Sequence, residues 1–174
     1  LVRKQYDYKI DEKAINEWII STEFLDESTL LVLTSHNVIY KVDVSSSVGH
    51  YSVLDMIHCN EKSILYSGSI RILADKTVLI SAGTVMNGVI LWNLNTRQIL
   101  HNLTEHEGSI FGVKVDQNGK YIISCSDDRS VKLYELKTGE LLATGWGHGS
   151  RIWNLEFFKD TSDGSVKIFS TGED

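Results

Sequence analysis

Proline is absent from all 174 residues. Turns must then be made by Gly, Asn, Asp and Ser, which suits the tight hairpins of an all-β chain. Cysteine is nearly absent too: Cys59 and Cys125 are too few for a disulfide framework or a zinc site, and a reduced, cytoplasmic setting is expected. No apolar run approaches the ~20 residues of a membrane span. The start, Leu1-Val2-Arg3-Lys4-Gln5, has no signal-peptide pattern and no initiator Met, so an excerpt of a longer chain is expected. A basic patch is missing as well. The 17 Lys and Arg are scattered among 23 Asp and Glu, for a net charge of −6. Autonomous nucleic-acid binding relies on clustered cations, so any RNA bound here would need a partner to supply most of the attraction.

What the chain does have is short strand-like segments between turn clusters. Examples are Thr29-Leu30-Leu31-Val32-Leu33-Thr34, Thr77-Val78-Leu79-Ile80-Ser81, Lys120-Tyr121-Ile122-Ile123-Ser124 and Ser130-Val131-Lys132-Leu133-Tyr134. No convincing helical period appears, and even Asp11 to Ile20 reads better as loop plus strand. The segments recur at a longer interval. Ile80-Ser81-Ala82-Gly83 matches Ile123-Ser124-Cys125-Ser126, 43 residues on, and Trp92 matches Tyr134, 42 residues on. A period of ~40–45 with four strands per unit indicates propeller blades, which must stack because one blade cannot bury both faces. The expected units are approximately 14–60, 63–104, 106–146 and an incomplete 148–174, as part of a larger propeller. The long connection from Phe158 to Ser165 leaves room for a hidden junction.

The third unit runs His106-Glu107-Gly108-Ser109-Ile110, Val113-Lys114-Val115, Asp116-Gln117-Asn118-Gly119, Ile122-Ile123-Ser124-Cys125-Ser126-Asp127-Asp128 and Val131-Lys132-Leu133-Tyr134. This resembles a WD40 repeat. The resemblance implies a hydrogen-bonded structural tetrad of His106, Ser124 and Asp128, with Tyr134 where a Trp usually stands. It implies His148, Ser170 and Asp174 in the fourth unit. In the second it implies Ser81 and Trp92, with Met86-Asn87 in place of the Asp. In the first, Tyr40 takes the Trp position.

Catalysis finds little support. His106, Ser124 and Asp128 are the residue types of a hydrolase triad, but the repeat assigns each a structural slot and no Gly-x-Ser-x-Gly elbow exists. Gly145-Trp146-Gly147-His148-Gly149 lacks the Lys-Ser/Thr of a phosphate loop. His101 and His106 have no completing metal ligands. Neither enzyme activity, nor a cofactor, nor a metal is expected. Arg129 and Arg151 should share one rim, with Phe111 and Trp153 equivalent and just inside it, a composition enriched at interface hot spots. The plainer alternative is that the arginines pair with Asp127 or Glu173 and the aromatics serve blade packing.

Three phrases are less generic: Ser81-Ala82-Gly83-Thr84-Val85-Met86-Asn87-Gly88-Val89-Ile90-Leu91-Trp92, Ser126-Asp127-Asp128-Arg129-Ser130, and Gly147-His148-Gly149-Ser150-Arg151-Ile152-Trp153. With Leu65-Tyr66-Ser67-Gly68 and Thr171-Gly172-Glu173-Asp174 they resemble a eukaryotic WD-repeat family. Its members are non-catalytic partners of the methyltransferase that 2′-O-methylates the tRNA wobble ribose. That resemblance, over about Ser63 to Asp174, implies a cytoplasmic scaffold that binds the catalytic subunit and helps present tRNA. The methyl donor S-adenosylmethionine would lie on the partner. A general WD scaffold in trafficking or ubiquitin ligation is the alternative.

Overall fold

The computed structural model describes residues 17–45, 51–159 and 165–174, and every regular element among them is a strand. The first sheet holds β1 (Ile19–Phe24), β2 (Thr29–Thr34), β3 (Val38–Asp43) and β4 (Ser52–His58). The second holds β5 (Leu65–Ile72), β6 (Val78–Thr84), β7 (Val89–Asn93) and β8 (Gln98–Leu103). The third holds β9 (Ile110–Val115), β10 (Tyr121–Ser126), β11 (Val131–Glu135) and β12 (Leu141–Gly145). A hairpin of β13 (Ile152–Lys159) and β14 (Val166–Gly172) follows. All neighbours are antiparallel and consecutive, so each sheet is a meander. Residues 11–16 of the expected loop-plus-strand segment, and residues 160–164 of the expected junction, lie outside the described residues.

Successive sheets stack face to face, and their first strands β1, β5, β9 and β13 lie side by side. Side chains alternate across a strand, so a sheet with neighbours on both sides needs apolar residues on both faces. The second sheet shows this. Ile80, Ala82, Ile90 and Trp92 pack toward the first sheet with Leu31, Leu33 and Ile39. Leu79, Val89 and Leu91 pack the other way, against Ile110, Val113 and Ile122 of the third. A smaller core of Ile123, Cys125, Ile152 and Leu155 joins the third sheet to the last hairpin.

Side-chain bonds to backbone carbonyls also tie the second sheet to the third. The Ser67 hydroxyl donates to the Ile110 carbonyl (2.9 Å), Arg71 Nε to the Val115 carbonyl (3.1 Å) and His101 Nε2 to the Leu136 carbonyl (2.7 Å). The last tie also constrains the β11–β12 turn. There Gly139 has φ +75°, and a Cβ would lie 2.7 Å from His101 Nδ1, so only glycine fits.

Asn37, in the β2–β3 turn, joins the first sheet to the second. Its φ is +59°, a region Asn tolerates better than most residues. Its buried Oδ1 accepts the Trp92 indole N–H at 3.1 Å, and its Nδ2 donates to Ser63 Oγ at 3.3 Å. Asn37→Gly leaves the turn unstrained but removes both contacts. Stability in urea should fall by about 1–3 kcal/mol, the cost of an unsatisfied buried donor. An unchanged unfolding midpoint would show that Asn37 does not lock the two sheets.

Candidate functional site

The rim where first strands begin and second strands end carries one polar arrangement twice. His106 lies four residues before β9, and His148 four before β13. His106 Nδ1 donates to Asp128 Oδ2 at 2.7 Å, and Nε2 accepts from Ser124 Oγ at 2.8 Å. His148 repeats this with Asp174 Oδ1 at 2.7 Å and Ser170 Oγ at 2.9 Å. In each case the free carboxylate capacity takes the amide after the histidine. Glu107 N donates to Asp128 at 3.0 Å and Gly149 N to Asp174 at 2.5 Å. The third sheet adds Ser130, whose amide (2.8 Å) and hydroxyl (2.7 Å) both donate to Asp128 Oδ1. Nothing in the repeat spacing pointed to Ser130; its short-range turn bond was the missed signal.

Electrostatics fit a neutral histidine beside a charged carboxylate. Burial pushes the His106 imidazole below its ordinary value of 6.5, while Asp128 pulls the other way and loses. Burial opposes the charge on Asp128. Bonds from Ser130, the Glu107 amide and His106 nevertheless bring its carboxyl below the usual 3.8. Asp174 is also lowered, chiefly by the bond from His148 and then by the Gly149 amide.

The second sheet differs from expectation, and strand pairing gives the reason. Ile80 lies opposite Trp92 and Ile122 opposite Tyr134, so the residue matching Ser124 is Ala82, not Ser81. A one-residue slip reverses the face. Ser81 therefore points away from Trp92 and meets Ser69 Oγ at 2.7 Å. Trp92 gives its N–H to Asn37 instead. Glu61 stands four residues before β5, in the histidine position, and accepts from Asn102 Nδ2 at 3.2 Å. In the first sheet Val42, opposite Leu30, holds the position expected for Tyr40. Tyr134 is fully buried, but its hydroxyl makes no hydrogen bond, and burial raises its pKa. It fills the space of the usual Trp without its polar contact.

Above these networks lies an aromatic row created by β-bulges. Each first strand skips one residue in its pairing: Ile20, Tyr66, Phe111 and Trp153. A bulge re-aims its extra side chain. Tyr66 stacks on Phe111 at 5.3 Å and 11°, and Phe111 meets Trp153 at 4.8 Å and 60°. The Arg151 guanidinium lies 5.8 Å from the Phe111 ring and 5.3 Å from the Trp153 ring. Its Nε is 3.2 Å from Asp127 and 3.7 Å from Glu173. Arg151, Phe111 and Trp153 thus come together. Arg129 is exposed at φ +68°, with no carboxylate within 4.0 Å among the described residues. Tyr66 was missed as a rim residue because a bulge leaves no mark in hydrophobic alternation.

A family model described as WD domain, G-beta repeat, matches residues 97–135. The chain carries a WD40 repeat. The matched WD40 unit runs from β8 to β11, so it straddles two sheets and contains the His106 network. A Drosophila melanogaster protein named tRNA (34-2'-O)-methyltransferase regulator WDR6 is 24% identical over 94% of this chain, which spans 19% of that protein's length. Human NACHT domain- and WD repeat-containing protein 1 is 31% identical over 44% of this chain and 5% of its own length. Among solved structures, U3-55K matches at a TM-score of 0.62 and 18% identity, over 88% of this chain and 52% of that one. The RRP9 WD40 repeats also give 0.62 and 18%, over 88% and 51%. Those likenesses establish the fold: all-β, with four-stranded WD40 propeller sheets.

The arrangement suits holding loops rather than nucleophilic attack. Ser124 is wholly buried, where no substrate carbonyl can approach its Oγ. The adjacent Cys125 thiol is pushed up to about 12 by burial, which disfavours the reactive thiolate. Among the described residues no group of His, Cys, Asp and Glu could hold a metal ion.

Asp128→Ala should lower stability by about 1–3 kcal/mol by orphaning His106 and two amides, read as a shift in urea midpoint; no shift would refute the network's structural role. A pH test addresses the histidine. Its folded pKa lies below 6.5, so unfolding takes up a proton between the two values. Its contribution is full above pH 6.5 and is lost as pH falls through the folded pKa. His106→Gln should flatten that part of the stability-versus-pH curve, and parallel curves would exclude His106 as the titrating group.

Proposed function

We propose that this chain acts as a non-catalytic scaffold that binds a tRNA 2′-O-methyltransferase and helps position tRNA for wobble-ribose methylation. The observation that carries this reading is likeness, along 94% of the chain, to a protein named as a regulator of tRNA position-34 2′-O-methylation. The rim supports it in physical terms. Its polar networks hold loops still, and its exposed aromatic and arginine side chains have the composition of interface hot spots. In this reading the units 14–60, 63–104, 106–146 and 148–174 are blades of a larger cytoplasmic propeller. The catalytic subunit brings S-adenosylmethionine and most of the attraction for tRNA. A net charge of −6 fits a protein that orients the complex without gripping the phosphates. The diversity of other WD-repeat relatives keeps a general scaffold as the second reading.

Mass spectrometry of tRNA from cells lacking the protein should show selective loss of the wobble-ribose methyl group. Full methylation would remove the methyltransferase assignment and leave the scaffold fold. At the rim, Arg129→Gly suits the positive φ and deletes only the charge and stem. Recovery of the methyltransferase by affinity purification should drop about tenfold if Arg129 is a hot spot, with an unchanged melting temperature. Equal recovery would take Arg129 out of the interface.

A further inference from the structure

The aromatic row also indicates what kind of group the rim receives. Tyr66 and Trp153 remain 49% and 44% exposed, and Phe111 between them holds both rings in place. Beside them Asp127 and Glu173 keep side-chain exposures of 46% and 43% although both already face Arg151. Each carboxylate therefore has an open side. Exposed Glu107 and Asp174 stand on the neighbouring loops, so acids outnumber the two arginines of this rim. Arg151 displays the chemistry from within: a planar guanidinium over two rings, neutralised by two carboxylates. Rings attract cations through their negative faces, and the guanidinium plane suits both ring and carboxylate.

We propose that this rim binds an arginine-bearing basic segment of a protein partner, with Trp153 and Tyr66 taking the cation's face and Asp127 and Glu173 its charge. The inference rests on the scaffold reading and deepens it by naming the chemistry of what the scaffold holds. Single-stranded RNA is the less suitable occupant. A base would stack well on these rings, but its phosphates would meet four carboxylates, with Arg151 already paired and, among the described residues of this rim, Arg129 alone free to receive them.

Fluorescence anisotropy on the full-length protein separates the two. The probes are a labelled peptide of alternating Arg and Gly and a labelled oligouridine of similar length. Wild type should bind the peptide more tightly than the RNA. Trp153→Leu, and separately the Asp127→Asn, Glu173→Gln pair, should weaken peptide binding about fivefold or more, while the melting temperature reports that the fold is intact. Arg151→Gln removes the guanidinium from both carboxylates, leaving Glu173 only its bond from the Ser150 hydroxyl (2.9 Å), and should strengthen peptide binding. Glu23→Gln, at the far end of β1, should change nothing. Tighter binding of RNA, weakened by Arg151→Gln, would make this a nucleic-acid site and overturn the proposal. Wild-type affinity in Trp153→Leu, or an equal loss in Glu23→Gln, would reduce it to general charge attraction. Expected peptide behaviour in a protein whose removal spares wobble methylation keeps this inference and sinks the methyltransferase reading. Lost methylation with insensitive peptide binding does the reverse.

Discussion

A β-sheet with a neighbour on each side has no face to spare, and in this chain that condition governs nearly every residue choice along the middle strands. All seven residues of β6 are buried. Alternate ones serve different cores: Ile80 and Ala82 one way, Leu79 the other. A polar side chain on such a strand depends on a particular neighbour for its hydrogen bond, because water is not there to supply one, and the Tyr134 hydroxyl is the exception that finds none. Ser124, Ser81, Trp92 and Asn37 all sit under this rule. Their hydrogen bonds differ because their faces differ.

The same condition explains why the second sheet can lack the histidine network without losing its place in the stack. Ala82 stands where Ser124 stands in the third sheet, and Glu61 where His106 does. The indole N–H of Trp92 then donates to Asn37 Oδ1 of the adjoining sheet. An intra-sheet tie is exchanged for an inter-sheet one. In the third sheet the outcome is the opposite. His106, Ser124 and Asp128 are complete, and Tyr134 contributes volume while its hydroxyl goes without a partner.

The proposed binding rim rests on a departure from regular pairing. The bulge near the start of each first strand turns one side chain out of the alternation. Three of the four bulged residues, Tyr66, Phe111 and Trp153, are aromatic and touch in series. The loops that carry Arg151, Asp127 and Glu173 are pinned nearby by the histidine networks. Rigid loops beside a preformed aromatic row lower the ordering cost of binding a partner.

The sequence by itself determined the class of structure. Alternating strands, the absence of proline and matches 42 and 43 residues apart led to four-stranded propeller sheets. The resemblance of the repeat to a WD40 unit implied the sets that meet, His106 with Ser124 and Asp128, and His148 with Ser170 and Asp174. These features are legible because they depend on distance along the chain. Tertiary structure alone decided which face Ser81 takes, that Asn37 rather than a serine receives Trp92, and that Tyr66 joins Phe111 and Trp153. Register and bulges are set by how sheets pack on one another, and a shift of one residue, invisible in composition or period, exchanges one core for the other.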